Sequence, residues 1–204
     1  ASDVYKRQIS ISIDKDAVLR SGIMLPDSIR HLKGKELKNA IPDKIYISLK
    51  DMRILTKVDM LMLEMLANCN WERPLYMAIS VGEVSKLKFD HYFVQEGLAF
   101  RFTPFDYKKW GNVKGDNNYA IDVERLYENV MNRYKYGGLD TPGLYLDETT
   151  LRTCYYHRRL FAQLAKELIR QGDNTRARKV LAYAEQAVPA YNAVSYTHLT
   201  LPTI

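Results

Sequence analysis

Phe161-Ala162-Gln163-Leu164-Ala165-Lys166-Glu167-Leu168-Ile169-Arg170-Gln171-Gly172-Asp173-Asn174-Thr175-Arg176-Ala177-Arg178-Lys179-Val180-Leu181-Ala182-Tyr183-Ala184-Glu185-Gln186-Ala187-Val188-Pro189 reads as two helices joined by a short turn. Phe161, Leu164, Ala165 and Leu168 recur at helical spacing, as do Ala177, Leu181 and Ala184. Gly172-Asp173-Asn174 supplies the turn, and Pro189 ends the second helix because it has no N–H to donate. The small residues Ala165, Ala177 and Ala184 let two antiparallel helices approach closely. The pattern assigns Leu160, Phe161, Leu164, Leu168, Val180, Leu181 and Ala184 to the inner faces of the hairpin. It leaves an outer face around Val180, Tyr183 and Val188 as the most exposed apolar surface.

Upstream of this hairpin, strand and helix signals mix. Ile9-Ser10-Ile11-Ser12-Ile13-Asp14 alternates as a half-buried strand, and Asp14 or Asp16 starts a short helical turn through Leu19. A polar, Lys-rich stretch runs to Pro42, and Lys44-Ile45-Tyr46-Ile47-Ser48-Leu49 is a second strand. Thr56 caps a helix carrying Val58, Leu61, Met62, Met65 and Leu66, with Asp59 placed for a capping box and Asn68-Cys69-Asn70 at its end. Leu75 to Val81 is nearly continuously apolar and predicts a central strand. Phe89 to Gln95 predicts a short helix, Leu98 to Phe105 a strand, Lys108 to Tyr119 a loop, and Asp122 to about Tyr134 a helix. From Asp147 onward the pattern is wholly helical. The fold class is therefore α+β: a small mixed α/β module over residues 9–146, then a helical region over residues 147–193.

Two resemblances follow from these residues. Phe161, Leu164, Ala165, Leu168, Ala177, Leu181, Ala184 and Pro189 resemble the signature positions of a tetratricopeptide repeat, which implies further stacked repeats and a surface for a protein partner. The second resemblance runs in order along the chain. It is carried by Leu63-Glu64-Met65-Leu66-Ala67, Asn70-Trp71-Glu72-Arg73-Pro74-Leu75-Tyr76-Met77-Ala78, Gln95-Glu96-Gly97-Leu98-Ala99-Phe100-Arg101, Tyr136-Gly137-Gly138-Leu139-Asp140, Tyr145-Leu146-Asp147-Glu148 and His157-Arg158-Arg159-Leu160-Phe161. Together they resemble the soluble C-terminal region of the domain-of-unknown-function 2723 family, also grouped as glycosyltransferase family 117. Members of that family are similar to protein O-mannosyltransferases: a polytopic membrane region of the GT-C type, using a polyprenyl-phosphate sugar donor, precedes a soluble tail. The resemblance implies a parent in the cytoplasmic (inner) membrane, this part on its extracytoplasmic side, and a protein partner or acceptor polypeptide. The family's catalytic loop lies in the membrane region, so no residue here carries over as catalytic.

Composition bounds the alternatives. With 47% hydrophobic and 26% charged residues the chain is ordinary globular material, long enough for one sizeable core or two small ones. The net charge of +6 is mild, and neither a zinc finger nor an RNP-like segment accompanies it, so a nucleic-acid partner is not expected. The longest apolar stretch, Met60 to Ala67, is interrupted by Glu64 and falls far short of the roughly 20 residues of a membrane span. The methionines from Met52 to Met65 read as core. Cys69 and Cys154 fit either a disulfide or two buried free thiols.

Trp71, Glu72 and Arg73 are the candidate binding residues. An Arg beside a Trp at a strand entrance offers a guanidinium fork and an indole face to a sugar or phosphate; the alternative is a packing Trp and an ion pair tying helix to sheet. Glu72, Glu96 and Asp122 are the carboxylates on which a stand-alone soluble carbohydrate-active enzyme would have to rely. His31, His91 and His157 lack metal-ligand spacing, Tyr136-Gly137-Gly138-Leu139-Asp140 lacks the Lys and Ser/Thr of a phosphate loop, and no serine has a nucleophile-elbow context. No catalytic residue, metal or cofactor is assigned.

The termini stand apart. Asp3-Val4-Tyr5-Lys6-Arg7-Gln8 back-translates to GATGTGTATAAGAGACAG, whose reverse complement in another frame encodes Val194-Ser195-Tyr196-Thr197-His198. That string resembles the mosaic end of a transposase-based sequencing library. Residues 1–8 and 194–204 are accordingly expected to be adapter scars outside the fold, and the natural chain is expected to continue beyond both.

Overall fold

A computed structural model of the chain describes residues 8–49, 54–81, 90–113 and 119–190. Apart from Gln8, the terminal segments set aside as scars lie outside the described residues, as do residues 191–193 of the helical region. The architecture is α+β and ends in a helical hairpin. Two compact units emerge, Ala1–Asp122 and Val123–Ile204, so the chain divides ahead of the Leu146 position at which the sequence pattern changes. The reason lies in α4 (Val123–Glu128), which packs with the long helix that follows it.

The first unit is built on two small sheets. β1 (Gln8–Ser12) pairs antiparallel with β2 (Lys44–Ser48), Ile9 opposite Ile47 and Ile11 opposite Ile45, so the period-two isoleucines share one face. Gln8 pairs with Ser48 and so joins the sheet, although it closes the segment set aside as a scar. Asp14 caps α1 (Lys15–Arg20), its carboxylate accepting from the Asp16 and Ala17 N–H groups at 3.0 Å. α2 (Gly34–Ala40) falls in the Lys-rich stretch that carries no helical periodicity. It buries no residue and has no side-chain cap, so nothing in its sequence announced it.

α3 (Lys57–Asn68) begins with the expected capping box: the Asp59 N–H donates to Thr56 Oγ1 and the Thr56 N–H donates to the Asp59 carboxylate. The second sheet has the order β3 (Tyr76–Ala78), β5 (Ala99–Phe102), β4 (Phe93–Gln95), β6 (Ala120–Ile121). Three sequence expectations change here. Among the described residues the strand from Leu75 is an edge strand, paired with β5 alone, and its Tyr76 and Ala78 are exposed. The segment expected as a helix ending at Gln95 is a single 3-10 turn, Asp90–Tyr92, running into β4; its first residue, Phe89, lies outside the described residues. β6, unforeseen, pairs parallel with β4 at the end of the predicted loop, and two residues are too few to show alternation.

Long-range hydrogen bonds tie this unit together. Arg101 on β5 donates to the Ser21 carbonyl at 2.8 Å, and the buried Tyr107 hydroxyl, from the turn after β5, donates to the Met24 carbonyl at 2.5 Å, so both side chains pin the loop after α1. Ile11, Val18, Ile41, Leu63, Leu66, Trp71, Tyr92, Phe102 and Phe105 belong to one continuous core.

The second unit begins with α4 and a π-helical turn, Asn129–Arg133, followed by α5 (Glu148–Arg170) and α6 (Asn174–Ala187). Asp147 caps α5 through the Thr149 and Thr150 N–H groups, and Asp173 caps α6 through the Arg176 N–H. Arg176 forks onto Glu124 at 2.8 and 2.9 Å and lies 5.3 Å from the centre of the Tyr127 ring, joining α6 to α4. Phe161, Leu164, Ala165, Leu168, Ala177 and Ala184 are buried, as expected of the hairpin interface. Leu181, expected on the inner face, is 48% exposed, whereas Val180 is buried as its inner-face assignment expected, and the outer-face expectation for Val180 and Val188 fails because both are buried. The buried stripe of α6 is Ala177, Val180, Ala184 and Ala187, centred one residue earlier than the alanines alone suggested. Arg158 adds a clamp, donating to the Val188 carbonyl at 2.6 Å and to Glu185 at 2.7 Å.

Candidate functional site

The Trp71-Glu72-Arg73 segment is set by how α3 ends. Asn70 and Trp71 both adopt left-handed backbone conformations, φ 48° and 61°. That geometry costs a non-glycine residue roughly 1–2 kcal/mol. The Trp71 side chain supplies the compensation: it is 4% exposed, its indole N–H donates to the Ser12 carbonyl at 3.0 Å, and its ring stacks on Phe102 with centroids 5.6 Å apart and planes 18° apart. The face and the N–H that a sugar would have used are thus occupied within the protein. Glu72 and Arg73 emerge exposed from this turn, and neither makes a hydrogen bond or ion pair among the described residues. Arg73 instead lines a narrow cleft together with Cys69, Trp71, Pro74, Arg101 and Phe102.

Arg101 is the buried counterpart. At 3% exposure it lies 3.6 Å from Glu96, itself 6% exposed, and the Tyr76 hydroxyl donates to the other Glu96 oxygen at 2.8 Å. Glu96 is therefore committed to a buried, hydrogen-bonded ion pair instead of being held ready for proton transfer. Asp122 does come close in topology: it follows β6, Glu96 follows β4, and the Asp122 N–H donates to the Gln95 carbonyl at 3.0 Å. Glu72 is a separate, exposed group on the turn after α3.

Other titratable groups are shaped by burial. Desolvation pushes the Tyr92 hydroxyl up to about 12 and raises Tyr107 further, and both stay protonated. Burial lowers the His91 pKa, partly opposed by Asp106 at 3.5 Å, and burial alone lowers that of His157. His157 packs edge-on against the Tyr134 and Tyr136 rings. Among the described residues no group of His, Cys, Asp or Glu side chains is placed to hold a metal ion. Cys69 and Cys154 are free thiols.

What sequence reasoning missed is the outer face of α3. Its inner face buries Asp59, Leu63 and Leu66. Val58 (42%), Met60 (59%), Leu61 (62%) and Met65 (52%) are exposed, preceded by Ile54 at 79%. Of the methionines assigned to the core, Met60 and Met65 are at the surface, Met62 packs against the core, and Met52 lies outside the described residues. Apolar residues on both sides of the helix were the available signal: one buried stripe accounts for only part of them. No helix among the described residues is long and apolar enough to cross a membrane.

The first unit is thus an α+β domain in which Glu96 and Arg101 are buried together and one helix exposes several large apolar residues. The chain belongs to the family described as TMEM260-associated domain 2, a membrane-protein-associated domain, whose model matches residues 4–124. The match ends beside the division between the units and begins within the segment that resembles an adapter. No curated protein matches the chain. No solved structure matches it either.

Proposed function

We propose that this chain is a non-catalytic, extramembrane accessory part of a polytopic membrane glycosyltransferase-like protein, of the GT-C type with a polyprenyl-phosphate sugar donor, on the extracytoplasmic side of the membrane. Supporting this are the ordered motifs from Leu63 to Phe161, the membership of residues 4–124 in a membrane-protein-associated domain family, and the commitment of Glu96 to Arg101. The observation that carries it is the exposed apolar face of α3. Several large apolar side chains exposed on one helix are a feature that a partner surface would account for. Its occupant in this reading is the membrane-embedded region of the same parent protein. In the same reading the helical hairpin begins a tetratricopeptide-like array that receives a protein partner or acceptor polypeptide, with Leu181 as the apolar point where a further helix stacks.

The test is the complete gene and its product. Several hydrophobic spans of about 20 residues each upstream of Ile9 are expected. In the full-length protein, Leu61→Glu together with Met65→Glu should loosen this domain from the membrane region, read as faster protease release of an intact soluble fragment. A gene without spans overturns the membrane assignment; spans with unchanged release overturn the docking role of α3.

A further inference from the structure

We propose that Arg73 and Arg101 form an oxyanion subsite in the cleft beside Trp71, suited to one phosphate or carboxylate group of a ligand. Arg101 is held in place before any ligand arrives. One terminal nitrogen donates to the Ser21 carbonyl at 2.8 Å, and the other faces the Gly22 carbonyl at 3.5 Å and Glu96 at 3.6 Å. Its Nε is buried and has no hydrogen-bond partner. A guanidinium N–H left unsatisfied in a buried wall is costly, and natural structures rarely keep one without a reason.

The same cleft is lined by Arg73, which is exposed and makes no hydrogen bond or ion pair among the described residues. Two arginines therefore line one cleft, and among the described residues no carboxylate lines it with them; Glu96, the acid beside Arg101, is also engaged by the Tyr76 hydroxyl. Glu72 is the neighbouring exposed acid and makes no ion pair with Arg73. The walls from Trp71, Pro74 and Phe102 are apolar, which strengthens a charge-assisted hydrogen bond within the cleft. The space inside the partly open cleft suits a water molecule or a single oxygen of a ligand's phosphate or carboxylate rather than a sugar ring. Trp71 and Phe102 stack on one another, so the subsite selects by charge and not by ring stacking.

Arginine Nε–H resonances of the full chain, observed by heteronuclear NMR, read this site directly. Inorganic phosphate and acetate are the probes, with potassium chloride as the ionic-strength control. The Arg101 Nε–H signal should move saturably with at least one probe, and Arg73→Gln should weaken that binding about tenfold, while Arg73→Lys retains part of it. Arg73 is exposed, so its variants leave the fold intact and decide the matter even if Arg101→Lys fails to fold. Vesicles of phosphatidic acid in phosphatidylcholine separate the sources: competition with free phosphate assigns a lipid headgroup, and binding of free phosphate alone assigns a soluble anion. An Arg101 signal that does not respond, or that drifts linearly with every other arginine, overturns the proposal and leaves a water molecule as the partner of Nε.

Discussion

The indole N–H of Trp71 donates to the carbonyl of Ser12 across 3.0 Å, joining the end of α3 to the end of β1. Because Trp71 also stacks on Phe102 of β5, one side chain connects the first sheet, the helix and the second sheet. Its neighbours Glu72 and Arg73 owe their outward position to this anchor.

Trp71→Ala should therefore unfold or severely weaken the first unit, by about 3–5 kcal/mol, and Trp71→Phe, which keeps the ring but strands the Ser12 carbonyl, by about 1–3 kcal/mol. Denaturant unfolding followed by circular dichroism gives both values. A Trp71→Phe variant as stable as the parent would mean that the hydrogen bond to Ser12 contributes nothing beyond the ring.

Breaking the buried pair from one side should cost more than removing it whole. Arg101→Met leaves Glu96 charged and buried and should destabilise by about 3–5 kcal/mol, whereas Arg101→Met combined with Glu96→Leu should recover much of that loss. The double-mutant cycle is the measurement. Additive losses would show that Glu96 and Arg101 are not coupled.

The second unit should lose stability in mild acid. Burial lowers the folded-state pKa of His157 below its ordinary value of 6.5, so the unfolded chain binds the proton more readily. The His157 contribution is complete above about pH 6.5 and declines as pH falls from there toward the folded pKa. His157→Phe, which preserves contact with Tyr134 and Tyr136, should flatten this decline. Denaturation midpoints for both proteins in neutral and mildly acidic buffer check it; parallel declines would assign the acid sensitivity elsewhere.

Faces of α3 and α6 can be checked by paired substitutions. Leu63→Ala and Leu66→Ala should cost about 2–5 kcal/mol, while Leu61→Ser and Met65→Ser should stay within about 0.5 kcal/mol in the isolated chain. On α6, Val180→Ala should cost more than Leu181→Ser. Thermal unfolding of the set is sufficient, and a reversed order on either helix would reverse the assignment of its faces.

Several elements were legible in the chain because their signals are local. The Thr56 and Asp59 box, the helix start at Asp14 and the alternating isoleucines of β1 and β2 each specify structure within a few residues, and all form as expected. β6, the edge position of β3 and the strand at Phe93 depend on pairing with distant residues, which local pattern does not encode. The candidate site divides in the same way. Trp71 and Arg73 stood out as residue types, but only the fold buries the Trp71 ring and brings Arg73 to the same cleft as Arg101.

By itself the sequence determined the α+β class, the helical hairpin with its turn at Gly172-Asp173, and the likeness to a membrane-associated protein, because hydrophobic period, capping residues and motif order are properties of the chain read in one dimension. Which apolar residues of α3 and α6 face inward, which carboxylate is neutralised by Arg101, and which guanidinium groups share a cleft were decided only in three dimensions. Burial and electrostatic pairing depend on neighbours far away in sequence, and a single substitution of α3's inner face for its outer one would leave the same composition with different surface chemistry.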